Sequence, residues 1–505
     1  MPTGTDLVVI GAGPGGYTAA IRGAQKGLNV VLVERETVGG VCLNHGCIPA
    51  KALIHAAGFQ RDIDHWNELG VETGPVDVDF QAIQDWKDEV IDKLDGQVLE
   101  SLEHYGVELI EGTARFEDSS TLQVETDGDS RTLEFDQAII ATGSQPIEIP
   151  GLEYSQDRVI SSREVLQVET VPDEIVVVGG GYIGMEAVTK FSKFGARVKI
   201  VEALDRVLSE FEEEIVDSIQ ETSEMYSDDI YTSTLAQGVE YAADGTPELI
   251  AEKNGDELRL SGDYIVVAAG REPNSAYADL ELVNTAVDLT DNGFIAVDDQ
   301  CRTTADNIFA VGDAAGPPYL AHVAYHEGKV AAAVAAGEDR TVDTEYMPTV
   351  MYTDPEVATV GLSEAEAAER RRRAGRSGAD DCLGASTDDG QNRGLSQGYR
   401  RCRRAAPRRA DRRPASLGYD RRSHPRFGDG RLAGRYRHDA PRPSNVPRKP
   451  RRGCRSREKR GDSHTLKAGT RVRYRISSAT SIASSTLPST TTPVVTSSSV
   501  QKTID

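Results

Sequence analysis

No apolar run in this 505-residue chain reaches the ~18 residues that a membrane-spanning helix needs, so a membrane partner is not expected. The N-terminus, MPTGTDLVVIGAG, lacks a basic segment with a long apolar stretch behind it and does not read as a secretory leader. The expected address is therefore the cytoplasm. Cysteine is scarce, with six in the whole chain, which excludes a scaffold stapled by disulfides. In a reducing compartment, a disulfide that does form is usually catalytic or redox-sensing. Lysine is also sparse up to Glu369, where 70 acidic residues face 22 basic ones, a balance of −48. Nucleic acid is not an expected partner of so acidic a surface. The pattern is that of soluble proteins from salt-rich cytoplasm, where screening weakens self-repulsion.

What the chain does have is glycine, in two matched places, and length enough for two to four domains. The apolar run DLVVI breaks into GAGPGG, a helix-like stretch YTAAIRGAQKG follows, and a second apolar run, NVVLVE, closes on Glu34. This is strand, tight turn, helix, strand, with glycines at Gly11, Gly13 and Gly16. Backbone N–H groups at such a turn can approach a pyrophosphate at the helix N-terminus, and a carboxylate at the position of Glu34 can bond a ribose hydroxyl. The same paragraph recurs as EIVVVGGGYIGMEA and ARVKIVE, with Gly179, Gly181, Gly184 and Glu202. In both copies the acid follows the last glycine by 18 residues. One such turn is weak evidence; two with equal spacing predict two bound dinucleotides and an α/β fold with two Rossmann-like domains.

Three more segments fit as strands completing those sheets: QAIIATGS (137–144), YIVVAAGREPN (264–274) and TTADNIFAVGDAA (303–315). The last ends in Gly312-Asp313, where an acid just past a strand's end is placed to bind a ligand hydroxyl.

Between the first turn and these strands lies GGVCLNHGCIPAK, which holds Cys42 and Cys47 five positions apart. Spacing alone leaves four roles open: a metal clamp, a structural disulfide, an inert pair, or a redox couple. Zinc sites favour CxxC pairs with two further ligands. His45 lies between the cysteines, but no second ligand pair follows, and no metal is expected.

Taken together, the paired dinucleotide units with GGVCLNHGCIPAK, AAGREPN, IFAVGDAA and LAHVAYHEG resemble the flavin-dependent pyridine nucleotide–disulfide oxidoreductases. Within that family the pattern looks most like the dihydrolipoamide dehydrogenases, over roughly residues 5 to 365. The resemblance implies FAD on the first fold, NAD on the second, and a Cys42–Cys47 redox disulfide. It implies that Cys47 lies beside the flavin and Cys42 exchanges with substrate, with Lys51 near the flavin's reactive nitrogen and Glu186 as its partner. Contacts to the two cofactors are then expected at Gly11, Gly13, Gly16, Glu34, Lys51, Ala114, Thr142, Gly143, Ser144, Gly179, Gly181, Gly184, Glu186, Glu202, Gly270, Asp313, Leu320, Ala321 and His322. Glu202 suits the 2′-hydroxyl of NAD and would repel the 2′-phosphate of NADP, although Arg197 and Arg206 flank it. Lipoamide, or the lipoyl domain of a 2-oxoacid dehydrogenase complex, is the implied partner, and the implied assembly is a homodimer. Val41 and Ala50 stand where the family usually has threonine and serine. Neither change removes chemistry.

The resemblance divides the chain into an FAD-binding segment at 1–149, an NAD-binding segment at 150–275, a returning FAD segment at 276–345 and the start of an interface domain at 346–369. From Arg370 onward the balance reverses to +23, with 11 acidic and 34 basic residues. Leu, Ile, Val and Phe make up 15 of those 136 residues, too few to offset chain entropy by burial. The family's interface domain brings a catalytic histidine in an HPTxxE-like motif. His424, His438 and His464 of this tail match no such motif. Two readings compete, a basic arm that binds nucleic acid or an acidic surface and out-of-frame translation of GC-rich DNA. The abrupt reversal in mid-domain favours the second, in which another forward frame encodes the interface domain.

Overall fold

The computed structural model describes residues 5–372 except 75, 155–157, 225–226, 276–279 and 345, together with 472–473 and 503–504. The chain divides into two units. Met1–Ser363 with Tyr474–Lys502 form the first, which carries all the sheets considered below. Glu364–Arg473 with Thr503–Asp505 form the second, of which a helical segment at 364–372 and the paired strands Val472–Arg473 and Thr503–Ile504 are described. The readings of the remaining tail, His424, His438 and His464 included, lie outside the described residues.

The chain opens with β1 (Thr5–Ile10), α1 (Pro14–Gln25) and β2 (Val30–Glu34). Helices α2 (Cys47–Glu68) and α3 (Phe80–Tyr105) follow, then β3 (Glu108–Glu111), β4 (Thr113–Asp118), β5 (Thr121–Glu125) and β6 (Ser130–Ile140). β1 pairs in parallel with β2 and with the second half of β6, while β3 pairs in parallel with β2. Leu7, Val8 and Val9 are fully buried, as a strand covered on both faces demands, and so the run shows no polar alternation. β6 changes character midway. Leu133 and Phe135 alternate with exposed neighbours where it pairs antiparallel with β5, and Ala138, Ile139 and Ile140 are all buried where it pairs with β1.

A short strand β7 (Ser144–Pro146) leads to β8 (Val159–Ser161), β9 (Glu174–Val178), α4 (Tyr182–Lys193), β10 (Arg197–Val201), α5 (Glu213–Glu224) and β11 (Ser227–Tyr231). An antiparallel sheet of β12 (Thr234–Tyr241), β13 (Pro247–Lys253) and β14 (Asp256–Ser261) precedes β15 (Tyr264–Val267). The second parallel sheet has the order β11-β10-β9-β15-β8, with β9 at its centre as β1 is in the first. β16 (Arg271–Pro273) pairs with β7, and β17 (Ile308–Ala310) returns to the first sheet beside β6. Helix α6 (Ala321–Ala335) packs on α1, and β18 (Thr349–Met351) with β19 (Val357–Thr359) closes the first unit.

All seven apolar runs expected to be strands contain one, but three are shorter than expected. QAIIATGS stops at Ile140 because Gly143 has φ +70°, IFAVGDAA stops at Ala310 before Gly312 at φ +69°, and YIVVAAGREPN splits into β15 and β16. In each the strand ends where the chain turns toward the site. No helix among the described residues is long and apolar enough to cross a membrane.

Candidate functional site

The two glycine turns are built alike. Gly11 has φ +96°, and a Cβ there would lie 2.5 Å from the Ala141 carbonyl oxygen; Gly179 has φ +108°, with the Ala268 carbonyl equally close. Each needs glycine for both reasons. A Cβ on Gly16 or Gly184 would run into the carbonyl oxygen of Gly11 or Gly179, which is how the helix sits so tightly on the strand. A Cβ added to Gly13 or Gly181, directly before α1 and α4, would meet nothing within 4 Å, and neither helix has a side-chain cap. That leaves open space in front of helix N–H groups, the cradle a pyrophosphate fits. Glu34 accepts from the Ala12 and Glu36 N–H groups at 2.6 and 2.8 Å. Glu202 does the same with Gly180 and Leu204 at 2.6 and 2.8 Å. Each carboxylate is thereby held at the C-terminal end of its strand, beside the cradle.

The first cradle opens into a cavity of about 540 Å³. Its walls bring together Gly11, Gly13, Glu34, Cys42, Cys47, Lys51, Ala114, Thr142, Gly143, Ser144, Glu186, Asp313, Leu320, Ala321 and His322. Gly16, Gly179, Gly181, Gly184, Glu202 and Gly270 are not among those walls. Gly16 backs the turn, and the others belong to the second fold. Three buried polar atoms in this wall, His45 Nδ1, Thr142 Oγ1 and Asn274 Oδ1, have no hydrogen-bond partner. A cradle without a side chain, a fixed carboxylate and unpaired polar atoms together fit a flavin dinucleotide.

Asp313 accepts from the Ser144 hydroxyl, and Arg271 donates to that hydroxyl from Nε at 2.8 Å and to the Ser144 carbonyl from Nη2 at 2.6 Å. Burial holds the Asp313 carboxyl above the usual range. Arg271 thus ties the β16 end of the second fold to a cavity acid of the first. The motif AAGREPN contained this arginine, but its role depends on a partner over a hundred residues away.

Cys42 lies in a five-residue π-helical turn, Val41–His45, and Cys47 is the first residue of α2. Both are free thiols here. Cys42 donates a hydrogen bond to Cys47; this and Lys51 pull Cys47 down to about 7 against its burial. The same bond and burial push Cys42 well up. The N-terminus of a 22-residue helix adds its own preference for a thiolate at Cys47. The arrangement separates two chemically identical residues into a thiol and a stabilised thiolate.

Lys51 and Glu186 both line the cavity, yet no ion pair between them occurs among the described residues. Tyr352 serves both. Its ring centroid lies 4.1 Å under the Lys51 ammonium, and its N–H donates to Glu186 Oε1 at 3.0 Å. Other residues had not been singled out from the sequence. Tyr17 and Tyr325 share a 2.6 Å hydrogen bond near Cys42, and burial raises both phenols. Lys190 is buried in the cavity wall, one helical turn past Glu186, with its ammonium 4.3 Å from the Phe191 ring. Burial and the neighbouring Lys87 bring it down to about 7. Two histidines line the cavity. His45 Nε2 is 2.8 Å from Arg163 Nη2, and His322 Nε2 is 2.5 Å from the Pro348 carbonyl oxygen.

The family described as pyridine nucleotide-disulphide oxidoreductase matches residues 5–328. The chain is 44% identical over 373 residues to a dihydrolipoyl dehydrogenase of Haloferax volcanii, covering 73% of this chain and 78% of that one. It is 42% identical over 370 residues to the dihydrolipoyl dehydrogenase of Bacillus subtilis, again over 73% and 78%. Among solved structures, a HOCl-induced flavoprotein disulfide reductase from Escherichia coli, RclA, superposes with a TM-score of 0.64 at 26% identity, covering 73% of this chain and 79% of that one.

Proposed function

We propose that this chain, which belongs to the pyridine nucleotide–disulphide oxidoreductase family and groups with its dihydrolipoyl dehydrogenases, oxidises dihydrolipoamide through Cys42 and Cys47. The observation that carries the reading is the Cys42–Cys47 pair in the wall of the flavin-sized cavity, with one sulfur stabilised as a thiolate at a helix N-terminus. FAD and NAD are the family's cofactors; FAD supplies the two-electron acceptor between the dithiol and NAD+. Gly13 and Glu34 would hold the first dinucleotide, with Asp313 bonding a hydroxyl, and Gly181 and Glu202 would hold the second. The segments 1–149, 150–275, 276–345 and 346–369 are the corresponding domain pieces.

In the oxidised form the two sulfurs share a bond. A substrate thiolate attacks Cys42 sulfur, that bond breaks, and its electron pair leaves on Cys47. The Lys51 charge and the helix end make Cys47 the better leaving group, and the hydrogen bond from Cys42 stabilises its thiolate once both cysteines are reduced. The second substrate thiol then attacks the substrate sulfur held on Cys42. This forms the substrate disulfide and frees the Cys42 thiolate, which takes up a proton. Two electrons now reside on the cysteine pair and go on to NAD+, so that dihydrolipoamide and NAD+ yield lipoamide, NADH and one proton. The physiological partner in this reading is the lipoyl domain of a 2-oxoacid dehydrogenase complex, met in the cytoplasm.

A second reading follows from the histidines. Among the described residues, neither His45 nor His322 hydrogen-bonds a cysteine, so no imidazole is in place to move the substrate's proton. In that reading the chain binds FAD and NAD without turning over a disulfide. Activity with two acceptors separates them: under the first, NADH is oxidised with lipoamide as well as with a small redox dye. Dye reduction with no lipoamide reduction would favour the second.

A further inference from the structure

Burying a lysine without an acceptor is costly, and this chain does so at Lys190. Its side chain is 2% exposed and lies on the face of α4 that borders the cavity, one turn past Glu186. Among the described residues it donates no hydrogen bond and joins no ion pair; its contact is the Phe191 ring, 4.3 Å from the ammonium. Lys87 of α3, equally buried, gives the contrast. It donates to the Leu166 carbonyl at 3.1 Å and to Gln167 Oε1 at 3.3 Å and pairs with Asp88 at 3.1 Å, so all three of its protons are used. Lys87 also repels Lys190. Glu186, the other charged group acting on Lys190, spends Oε1 on the Tyr352 N–H.

The acceptor that Lys190 lacks has to come from what enters the cavity. Ala187 of the same helix, with Val165, Leu166 and Val266, lines that cavity with apolar surface and brings no second side-chain donor. Such a setting penalises a divalent anion far more than a monovalent one, because the cost of desolvation climbs steeply with charge. The acidic body of the chain fits concentrated salt, in which even a weakly held ion fills its site. We propose that Lys190 anchors a binding site for a small monovalent anion, a halide, in the cavity wall. The ion binds the ammonium and not the neutral amine. Burial and Lys87 bring Lys190 down to about 7, so affinity weakens as the pH rises above that value.

The test exchanges potassium gluconate for potassium bromide at constant ionic strength, on the full-length chain with and without FAD. In the wild type, bromide should raise Tm saturably by about 2–4 °C at about pH 6.5, and by much less at about pH 9. Lys190→Met should lose that bromide-specific rise. Lys190→Arg, charged at both pH values, should keep it at both. Crystals of the wild type grown in bromide should show an anomalous peak beside Lys190 Nζ that Lys190→Met lacks. An equal bromide response in wild type and Lys190→Met, a wild-type response that does not weaken toward high pH, or a map without that peak would overturn the proposal. So would a response confined to the FAD-free chain, which would give Lys190 to the cofactor's own site. The anion site does not rest on the functional reading: a chain that takes up no FAD would defeat that reading, and bromide binding to the FAD-free chain would still decide this one.

Discussion

Glu34 and Glu202 sit in two copies of one cradle. Each carboxylate accepts the N–H of the second residue in its glycine turn at 2.6 Å and the N–H two residues beyond itself at 2.8 Å. Two backbone bonds fix each side chain before any ligand arrives, and each carboxylate keeps lone pairs for a further donor. For Glu202 this has a measurable consequence. Glu202→Ala removes a hydroxyl acceptor and a charge that repels a 2′-phosphate, so preference should shift from NADH toward NADPH by about 1–3 kcal/mol. The variant also orphans two N–H groups and should be less stable, but the ratio of kcat/KM values for the two cofactors cancels that loss. An unchanged ratio would mean that Glu202 does not read the 2′ position.

Gly13 tests the first cradle. A side chain there meets nothing within 4 Å, so Gly13→Asp should fold while placing a carboxylate where the pyrophosphate binds. Purified wild type should be yellow with about one FAD per chain, and the variant nearly colourless, as read from the flavin absorbance after gel filtration. Retained flavin in Gly13→Asp would move the pyrophosphate elsewhere.

The buried Lys190 makes stability depend on pH in a defined direction. Its folded pKa, about 7, lies below that of a lysine in an unfolded chain, so between about pH 7 and 10 the unfolded state binds more protons. Stability should therefore rise with pH through that window; below it the ammonium is charged in both states and the full cost of burial is felt. Lys190→Met should raise Tm most at or below pH 7, by a stability gain on the order of 2–4 kcal/mol, and progressively less toward pH 10. A gain independent of pH, or a loss, measured by calorimetry, would contradict this.

What the sequence made legible was whatever local spacing determines. The two turns and their acids were readable because Gly11, Gly16 and Glu34 must stand at set distances within one strand-turn-helix-strand unit, and the second copy repeats them. The cysteine pair was legible as a motif, but its asymmetry was not, since that arises from Cys47 beginning α2 while Cys42 lies in the turn before it. Pairings across the fold were invisible. Lys51 and Glu186 were expected to be partners, and nothing local announces that Tyr352 touches both, Lys51 through its ring and Glu186 through its N–H. Tyr17 with Tyr325 and Arg271 with Ser144 are hidden for the same reason, because one pair meets only where α6 packs on α1 and the other only where β16 pairs with β7.

The claim that everything else depends on is that Cys42 and Cys47 form a redox couple in communication with a bound flavin. Anaerobic reductive titration of the FAD-loaded, oxidised chain, followed by visible absorbance, counts its electrons directly. A disulfide and a flavin each take two, so the wild type should consume about four electrons per flavin, and a Cys42→Ser/Cys47→Ser double variant about two. A wild type that is fully reduced by about two electrons per flavin, like the double variant, would contradict the account.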